Sequence, residues 1–172
     1  MTGLNRSATL LLGQIRPYTL HDRDAVERLN KRYYEDEHGF DASFSRAMSG
    51  ALDQIGLAIQ STTGIGWVLI DNNEVAGSLF LTPERRGTGR IRLFFVRSDL
   101  QGRGLGAALM AQCLQAATPL WFQTILVSTF TVHDAACALY LKSGFVQAQR
   151  SDCRVFGRDL MQVDFVRSNA DG

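Results

Sequence analysis

A glycine-rich turn between a predicted strand and a predicted helix is the part of this sequence best suited to chemistry. The turn is Gln101-Gly102-Arg103-Gly104-Leu105-Gly106, and the apolar residues 93–96 lead into it. The first N–H groups of a helix have no partner within the helix and lie at the positive end of its dipole. A glycine-lined helix start therefore binds phosphate readily. We expect a ligand that carries a pyrophosphate to bind here.

Two common phosphate-binding motifs fit this turn poorly. A Walker A loop requires Gly-Lys followed by Ser or Thr, and neither Lys31 nor Lys142 follows a glycine. A dinucleotide-binding motif requires a small residue where Leu109 stands, and an acidic residue further on where residues 120–122 are apolar. A P-loop NTPase is therefore not expected. A nicotinamide-dependent enzyme stays an alternative that a binding test would decide.

The spacing does match Gln/Arg-x-x-Gly-x-Gly/Ala, which Gln101, Gly104 and Gly106 fill, and here the chain resembles the GNAT superfamily of acetyl-CoA-dependent N-acetyltransferases. Residues 133–145 resemble the family's Asn-x-x-Ala-x-x-Leu-Tyr-x-x-x-Gly-Phe segment, with His133 in place of the asparagine. Residues 15–29 resemble the family's opening strand and first helix. The three segments occur in the family's order.

A second and looser similarity points to one group of domains within the family. Residues 37–41, Glu-His-Gly-Phe-Asp, are similar to an acidic and aromatic segment of the acetyltransferase domains often fused behind winged-helix antibiotic-resistance-type regulators. Residues 155–160 are similar to a stretch near the end of those domains. Too few residues precede Ile15 for a DNA-binding domain, so we expect none in this chain.

The resemblance implies an α/β (α+β) fold of three layers, with a central mixed, mostly antiparallel sheet of about seven strands flanked by about four helices. The residue pattern agrees with this fold, because predicted strands and helices alternate along residues 14–167. It also predicts a hairpin over residues 67–81 and a charged loop over residues 83–89. We expect residues 1–13 to form an arm or to extend the first strand, and residues 168–172 to form a frayed tail.

Composition agrees with one compact enzyme domain. The chain has 172 residues, 45% of them hydrophobic and 20% charged, which excludes a disordered or fibrous protein. With a net charge of +1, neither nucleic acid nor a membrane is an expected partner. The three cysteines are odd in number and far apart, so no disulfide framework or metal site is predicted and a reducing cytoplasm is the expected location.

The resemblance implies acetyl-CoA as co-substrate and no metal. In the family, the amides after the glycine turn bind the pyrophosphate, and the backbone of the preceding strand binds the pantetheine arm and the acetyl carbonyl. The expected cofactor-binding residues of this chain are Phe94, Phe95, Val96, Gln101, Gly102, Arg103, Gly104, Leu105, Gly106, Ala107, His133 and Tyr140.

Tyr140 aligns with the family's general acid, which protonates the leaving thiolate, although its helical spacing also fits a simple core position. The general base is less clear. Many relatives carry a glutamate on the strand before the turn, where this chain has Arg90 and Arg92. The segment after the first helix offers Glu37 as a tentative base, with Glu35, His38 and Phe40 as substrate-binding candidates; solvated surface charges are the plainer interpretation.

Together these features predict transfer of an acetyl group from acetyl-CoA to a primary amine by direct attack in a ternary complex. The acidic residues 35–37 favour a cationic acceptor, either a small amine or a protein lysine. The alternative is a regulatory module that binds acyl-CoA without turnover. A homodimer is an expectation from the family alone.

Overall fold

A computed structural model describes residues 13–169 of the chain. Residues 1–12 of the expected arm lie outside this range. The described elements are β1 Gln14–Pro17, α1 Arg23–Lys31, a π-helical turn Arg32–Glu37, α2 Ser43–Gln60, β2 Ile65–Asp71, β3 Glu74–Arg85, β4 Thr88–Val96, α3 Leu105–Ala117, β5 Thr124–Phe130, α4 Asp134–Lys142, β6 Val146–Val155 and β7 Arg158–Ser168, with single 3-10 turns at Leu20–Asp22 and Ser98–Leu100.

The strands form one sheet in the order β1-β2-β3-β4-β5-β7-β6. Every neighbouring pair is antiparallel except β4 and β5, which run parallel. Helices α1 and α2 contribute to the core on one face of the sheet, and α3 and α4 to the core on the other. This arrangement confirms the predicted three-layer α/β fold with a mixed, mostly antiparallel sheet.

The two cores follow from helical periodicity. On α2, apolar residues recur every three or four positions and are buried: Phe44, Met48, Leu52 and Ile55. They pack with Val68 and Phe80 of the sheet. On the other face, Leu105, Leu109, Met110 and Cys113 of α3 pack with sheet residues whose side chains alternate in direction with the first set, namely Leu69, Leu79 and Leu81. Each face of the sheet is thus covered by its own pair of helices.

Strand β4 separates from β5 after a short stretch of pairing. The two strands pair only from Thr88 to Arg90 on β4, which leaves the rest of β4, up to Val96, without β5 as a neighbour. A bulge accompanies the separation, because Leu93 has a positive φ of 44° and its carbonyl accepts a hydrogen bond from the Ser78 hydroxyl at 2.7 Å. The separation leaves backbone N–H and C=O groups of β4 available on the β5 side.

The prediction of a charged loop over residues 83–89 is wrong. Strands β3 and β4 continue through that stretch and pair up to Arg85 and Thr88, around a turn in which Gly87 has a φ of 71°. Glu84 and Arg90 face each other across the strands with an N–O distance of 2.8 Å. The alternating charges that suggested a loop are therefore cross-strand ion pairs.

The last two strands form a long hairpin. Strands β6 and β7 pair as far as Val155 and Arg158, and the turn between them consists of Phe156 and Gly157, both with positive φ. At the other end, β7 includes Ser168, and the N–H of Asn169 donates to the carbonyl of Gln123 at 2.7 Å. Residues 168 and 169 of the predicted tail are therefore bonded to the sheet, and residues 170–172 lie outside the described residues.

Candidate acyl-transfer site

The glycine turn is held in a fixed shape between β4 and α3. Gly102 and Gly104 have φ values of 74° and 79°, and Gly104 is the residue that precedes α3. The side chain of Gln101 donates from Nε2 to the carbonyl of Val96 at 2.8 Å, which ties the turn back to the end of β4. Two left-handed residues in four positions explain why this turn requires glycine.

The space around the turn suits a bulky anion. A Cβ atom added at Gly102 or Gly104 would meet no atom within 4 Å, so the backbone is open on that side. The N–H of Ala108 is the first in α3 to find a helical carbonyl, that of Gly104 at 3.0 Å. The amides of Leu105, Gly106 and Ala107 precede it, in the positions that have no partner within a helix. A pyrophosphate fits this combination of open backbone and helix dipole.

Two arginines lie at or beside the turn, and only one of them, Arg97, is held by ion pairs within the described residues. Arg97 makes ion pairs with Asp71 at 2.5 Å and Asp99 at 2.6 Å. Hydrogen bonding to Asp99 raises the pKa of Arg97 above its usual range. Arg97 therefore fixes the entry to the turn and is less free to reach a phosphate than an unpaired arginine would be. Arg103, within the turn, is exposed.

Tyr140 lies on α4 with its ring buried in the sheet core. Its ring centroid is 6.0 Å from that of Phe94, 5.7 Å from that of Phe145 and 5.3 Å from that of Phe165. Burial raises the pKa of the phenol well above its usual value, so the hydroxyl stays protonated at neutral pH. Within residues 13–169 it has no hydrogen-bond partner. The ring is thus a core residue, while its hydroxyl remains able to donate a proton.

His133 precedes α4, in the position that the family's asparagine occupies. Its carbonyl accepts the N–H of Cys137 at 3.1 Å, so its backbone begins the helix. The imidazole lies among aromatic rings, with centroids 5.6 Å from Tyr34, 6.3 Å from Tyr33 and 6.4 Å from Phe130. Among the described residues, its Nε2 is the single buried side-chain nitrogen or oxygen without a hydrogen-bond partner.

The acidic segment after α1 is partly committed to the fold. Glu35 accepts the N–H of Ser45 at 2.9 Å and also the Ser45 hydroxyl, so its carboxylate satisfies the amino-terminal end of α2. Glu37 is exposed and makes an ion pair with Arg32 at 3.4 Å. Asp36 is exposed. Of the predicted acceptor-site carboxylates, Glu35 thus has a structural partner, whereas Glu37 remains accessible.

His38 and Phe40 lie on opposite sides of the same segment. His38 is exposed, with Nδ1 2.8 Å from the carbonyl of Tyr33 and its ring 4.1 Å from the Tyr33 ring. Phe40 is buried and stacks on Phe156 at 5.5 Å. His38 therefore lies at the surface near the aromatic rings, whereas Phe40 anchors the segment in the core.

The two segments that supported the narrower resemblance contact each other. The N–H of Asp41 donates to the carbonyl of Phe156 at 3.0 Å, and Arg158 donates to the carbonyl of His38. A Cβ atom on Gly157 would come within 2.9 Å of the Asp41 carboxylate, so the turn between β6 and β7 must pass close to this segment. Nothing in the sequence predicted this contact.

A cleft of about 1230 Å³ opens between α1, the π-helical turn and the turn that joins β2 to β3. Tyr33, Asp36, Glu37 and Phe95 are among its lining residues, and the rings of Tyr33 and Phe95 are 4.8 Å apart. The cleft thus reaches β4 from the face that carries α1 and α2, opposite the face that carries α3.

Two aromatic residues of this region were not singled out from the sequence. Tyr33 and Tyr34 lie in the π-helical turn, and their rings are 5.0 Å apart and nearly perpendicular. Tyr34 is also 4.5 Å from Phe44. Their adjacency to the acidic residues was the available signal, but the helical periodicity of α1 suggested only a core role for Tyr33.

Across residues 13–169 there is no group of three or more His, Cys, Asp and Glu side chains arranged to hold a metal ion. No helix in that part of the chain is long and apolar enough to cross a membrane.

Comparison with known proteins places this geometry in context. The family model described as "Acetyltransferase (GNAT) family" matches residues 23–145, which is more than half of the chain. No curated protein matches the sequence.

Solved structures show the same fold at low identity. The yncA protein of Salmonella typhimurium, described as an acetyltransferase and solved with its cofactor acetyl-CoA, is 20% identical with a TM-score of 0.76, over 93% of this chain and 95% of that one. A GNAT-family acetyltransferase of Staphylococcus aureus has 15% identity and a TM-score of 0.74, over 91% and 99%. The ribosomal-protein-alanine N-acetyltransferase of Brucella melitensis has 18% identity and a TM-score of 0.71, over 90% and 99%.

Proposed function

This chain belongs to the GNAT acetyltransferase family, and on that premise we propose that it transfers an acetyl group from acetyl-CoA to a primary amine by direct attack within a ternary complex. The narrower resemblance to regulator-fused domains stays a prediction.

The observation that carries the proposal is the path of β4. This strand leaves β5 after Arg90, and the single turn Ser98–Leu100 joins its end to the open glycine turn that begins α3. One continuous surface therefore offers unpaired strand backbone, suited to an extended amide-containing arm, followed by helix amides suited to a pyrophosphate. Coenzyme A carries these two groups in that order.

The residues predicted to bind the cofactor form two groups, one for each part of coenzyme A. Backbone groups of Phe94, Phe95 and Val96 would bind the pantetheine arm, and amides of Arg103 to Ala107 would bind the pyrophosphate. Gln101 holds the turn to the end of β4. Acetyl-CoA supplies the acetyl group and a thiolate leaving group.

Tyr140 is the general acid in this proposal. Its buried phenol stays protonated, because burial raises its pKa, and its hydroxyl is not used by another described residue. A positioned proton donor of this kind contributes about 10²–10⁴-fold to the rate. Glu37, the base predicted from the sequence, is exposed beside Arg32 and stays a prediction.

The acceptor is a primary amine, carried by a small cation or a protein lysine, in our proposal. Support for a cationic acceptor now rests on Asp36 and Glu37, since Glu35 is bound by Ser45. Both line the cleft that reaches Phe95, whose lining also holds three other acidic residues and five basic ones, so the support is local to these two carboxylates. A cytoplasmic location and a homodimer remain expectations from the sequence.

Thermal unfolding of the purified protein with acetyl-CoA, free coenzyme A and NADH in separate samples tests the binding site first. A ligand at 100 times its Kd adds about 2.7 kcal/mol to the free energy of unfolding, which shifts Tm by several degrees in a domain of this size. Stabilisation by acetyl-CoA and not by NADH is the expected result. Stabilisation by neither coenzyme A species would overturn the proposal.

Turnover is tested next by thiol release from acetyl-CoA in the presence of a panel of amines that includes a diamine, a polyamine and a lysine peptide. Release that depends on the amine supports the transferase. Binding of acetyl-CoA without release for any amine favours the alternative, a regulatory module that binds acyl-CoA without turnover.

A further inference from the structure

The unpartnered Nε2 of His133 is the feature that the proposed function has not yet used. Buried polar atoms in proteins almost always have a hydrogen-bond partner, and an unpaired one lowers stability. Among the fully buried side-chain nitrogen and oxygen atoms of residues 13–169, no other lacks a partner; the Tyr140 hydroxyl, which also lacks one, is not in that set. A ligand or substrate group that pairs with Nε2 would explain why the imidazole is kept there.

The position of His133 relative to Tyr140 is suited to the reaction. Tyr140 lies on α4 seven positions after His133, which immediately precedes the helix with a non-helical backbone (φ −97°, ψ 63°). Seven residues span about 10 Å along a helix axis, and side chains tilt toward the amino-terminal end. The Tyr140 side chain therefore tilts toward the end of α4 that follows His133. Its ring contacts Phe94 of β4, while the His133 ring contacts Phe130 at the end of β5.

Aromatic rings from two elements surround the imidazole. Its ring neighbours are Tyr33 and Tyr34 from the π-helical turn and Phe130 from the end of β5. Tyr33 also contacts Phe95 and lines the cleft. One aromatic residue, Tyr33, thus contacts the His133 ring and also lines the cleft.

The two carboxylates predicted from the sequence, Glu35 and Glu37, each have a partner. Glu35 accepts two hydrogen bonds from Ser45, and Glu37 is paired with Arg32. On β4, where many family members place a glutamate, Arg90 and Arg92 contact Glu84. Within residues 13–169 no carboxylate oxygen is fully buried without a partner, as Nε2 of His133 is.

We propose that Nε2 of His133 accepts a proton from the acceptor amine as the amine attacks the acetyl carbonyl, an inference that rests on the proposed transferase function. An ammonium substrate first loses one proton to solvent. The amine nitrogen then forms the new C–N bond while its second proton passes to Nε2, the C–S bond breaks, and sulfur keeps the electron pair and takes the Tyr140 proton. The imidazolium loses its proton to solvent, and the Tyr140 phenolate regains one from solvent.

The protonation state of His133 agrees with this role. Burial, together with the nearby His38, lowers the pKa of His133 below its usual value of 6.5, so the ring is neutral at pH 7. Nε2 then accepts when the proton resides on Nδ1. The titratable groups that face it are Tyr33, Tyr34 and His38 from the π-helical segment, and the neighbouring groups on its own helix are Asp134, Cys137 and Tyr140.

The test is the pH dependence of kcat/KM for the wild-type protein, His133→Asn and His133→Gln, with the acetyl-CoA Kd measured on each. Asparagine is the residue that the family has here, so it preserves the helix start while removing the proton acceptor. We expect the two variants to lose about 10²–10⁴-fold in kcat/KM at neutral pH. We expect the pH profile of wild-type kcat/KM to fall on an acidic limb below the ordinary histidine pKa. This limb should be absent from the profiles of both variants, and their acetyl-CoA Kd should equal that of the wild type. His21→Asn, which removes a distant imidazole, is the matched control and should keep both rate and limb.

Three results would overturn the inference. One is a variant that binds acetyl-CoA more weakly yet keeps the wild-type rate at saturation, because His133 would then be a cofactor ligand only. Another is an acidic limb that persists in His133→Asn and disappears in His38→Asn. The third is a wild-type protein that binds acetyl-CoA but releases no thiol with any amine; this result alone also overturns the proposed function.

Discussion

The ring of Phe94 on β4 lies 6.0 Å from the ring of Tyr140 on α4, so the strand that leaves β5 contacts the helix that follows β5. The contact spans the gap into which we place the thioester. It also means that the Tyr140 ring is held by packing, with Phe145 and Phe165 on its other sides, and that the hydroxyl is not needed to hold it. A substitution that removes the hydroxyl and keeps the ring can therefore test the chemistry of Tyr140 without changing its packing.

Replacement of Tyr140 by Phe should remove the proton donor and leave the packing intact. We expect kcat for thiol release to fall by about 10²–10⁴-fold, while the acetyl-CoA Kd and Tm stay close to those of the wild type. The measurements are steady-state kinetics, isothermal titration and thermal unfolding.

Tyr18→Phe is the matched control for that variant. Tyr18 is also buried and also packs on a phenylalanine, Phe80 at 4.8 Å, but it lies near the far edge of the sheet. It should keep the full rate. Equal rates for Tyr140→Phe and Tyr18→Phe would show that the Tyr140 hydroxyl has no part in catalysis.

Glycines of the turn should differ in their response to a methyl group. Gly104→Ala places a side chain at a φ of 79°, which costs about 1–2 kcal/mol, and moves the start of α3. We expect both a lower Tm and weaker acetyl-CoA binding. Gly106→Ala meets only ordinary contacts, at 3.5 Å from Phe94 and Leu139, and should fold as well as the wild type.

A control for the glycine pair lies in α2. Gly50 is exposed in the helix with no atom within 4 Å of an added Cβ, so Gly50→Ala should stabilise the protein by about 0.5–1 kcal/mol and leave acetyl-CoA binding unchanged. Chemical denaturation measures the three stabilities. Wild-type stability in Gly104→Ala would contradict the strained geometry assigned to the turn.

The three cysteines should react with thiol reagents at different rates. Cys113 is fully buried, and burial raises its pKa to about 12, so its thiolate is scarce and inaccessible in the folded protein. Cys137 and Cys153 are only partly buried. We expect a chromogenic disulfide to label at most two thiols in the native protein and three in denaturant, and Cys113→Ala should leave the native count unchanged. Fast labelling of three native thiols would contradict the packing of α3.

Much of the fold followed from local patterns in the sequence. The spacing of Gly102, Gly104 and Gly106 after an apolar run predicted the turn, because few residues tolerate a left-handed backbone. Helical periodicity predicted the buried face of α2, because that face depends only on residues three or four positions apart. Both signals are local in the sequence.

Features that depend on distant partners were missed. Residues 83–89 look like a loop until Glu84 is seen opposite Arg90. Glu35 looks like a free carboxylate until α2 brings the amide of Ser45 to it. The unpaired state of His133 depends on the packing of the π-helical turn, which no local spacing encodes. In each case the deciding contact joins segments whose approach only the tertiary structure sets.

The ion pair between Arg16 and Asp22 should make stability depend on pH in the acid range. Asp22 is buried beside Arg16 at 2.8 Å, and hydrogen bonding to that guanidinium lowers its pKa from 3.8 to about 2. Because the folded pKa is the lower one, the stabilisation is complete above about pH 5 and is lost as pH falls through 4 toward 2. Asp22→Asn should therefore cost about 2 kcal/mol at pH 7 and almost nothing at pH 2.

Urea denaturation of the wild type and Asp22→Asn at pH 7, 4 and 2 measures this difference, and the comparison cancels the other acidic groups that titrate in the same range. Asp53→Asn removes another 2.8 Å ion pair, to Arg23, but Asp53 is 69% exposed and its loss should cost less than about 1 kcal/mol. The wild type and Asp22→Asn should thus converge in stability as pH falls. A difference in the free energy of unfolding that stays constant at all three pH values would contradict this prediction. It would mean that Asp22 stabilises the start of α1 by packing and hydrogen-bond geometry, which an amide retains in part, and that its charge is not the cause.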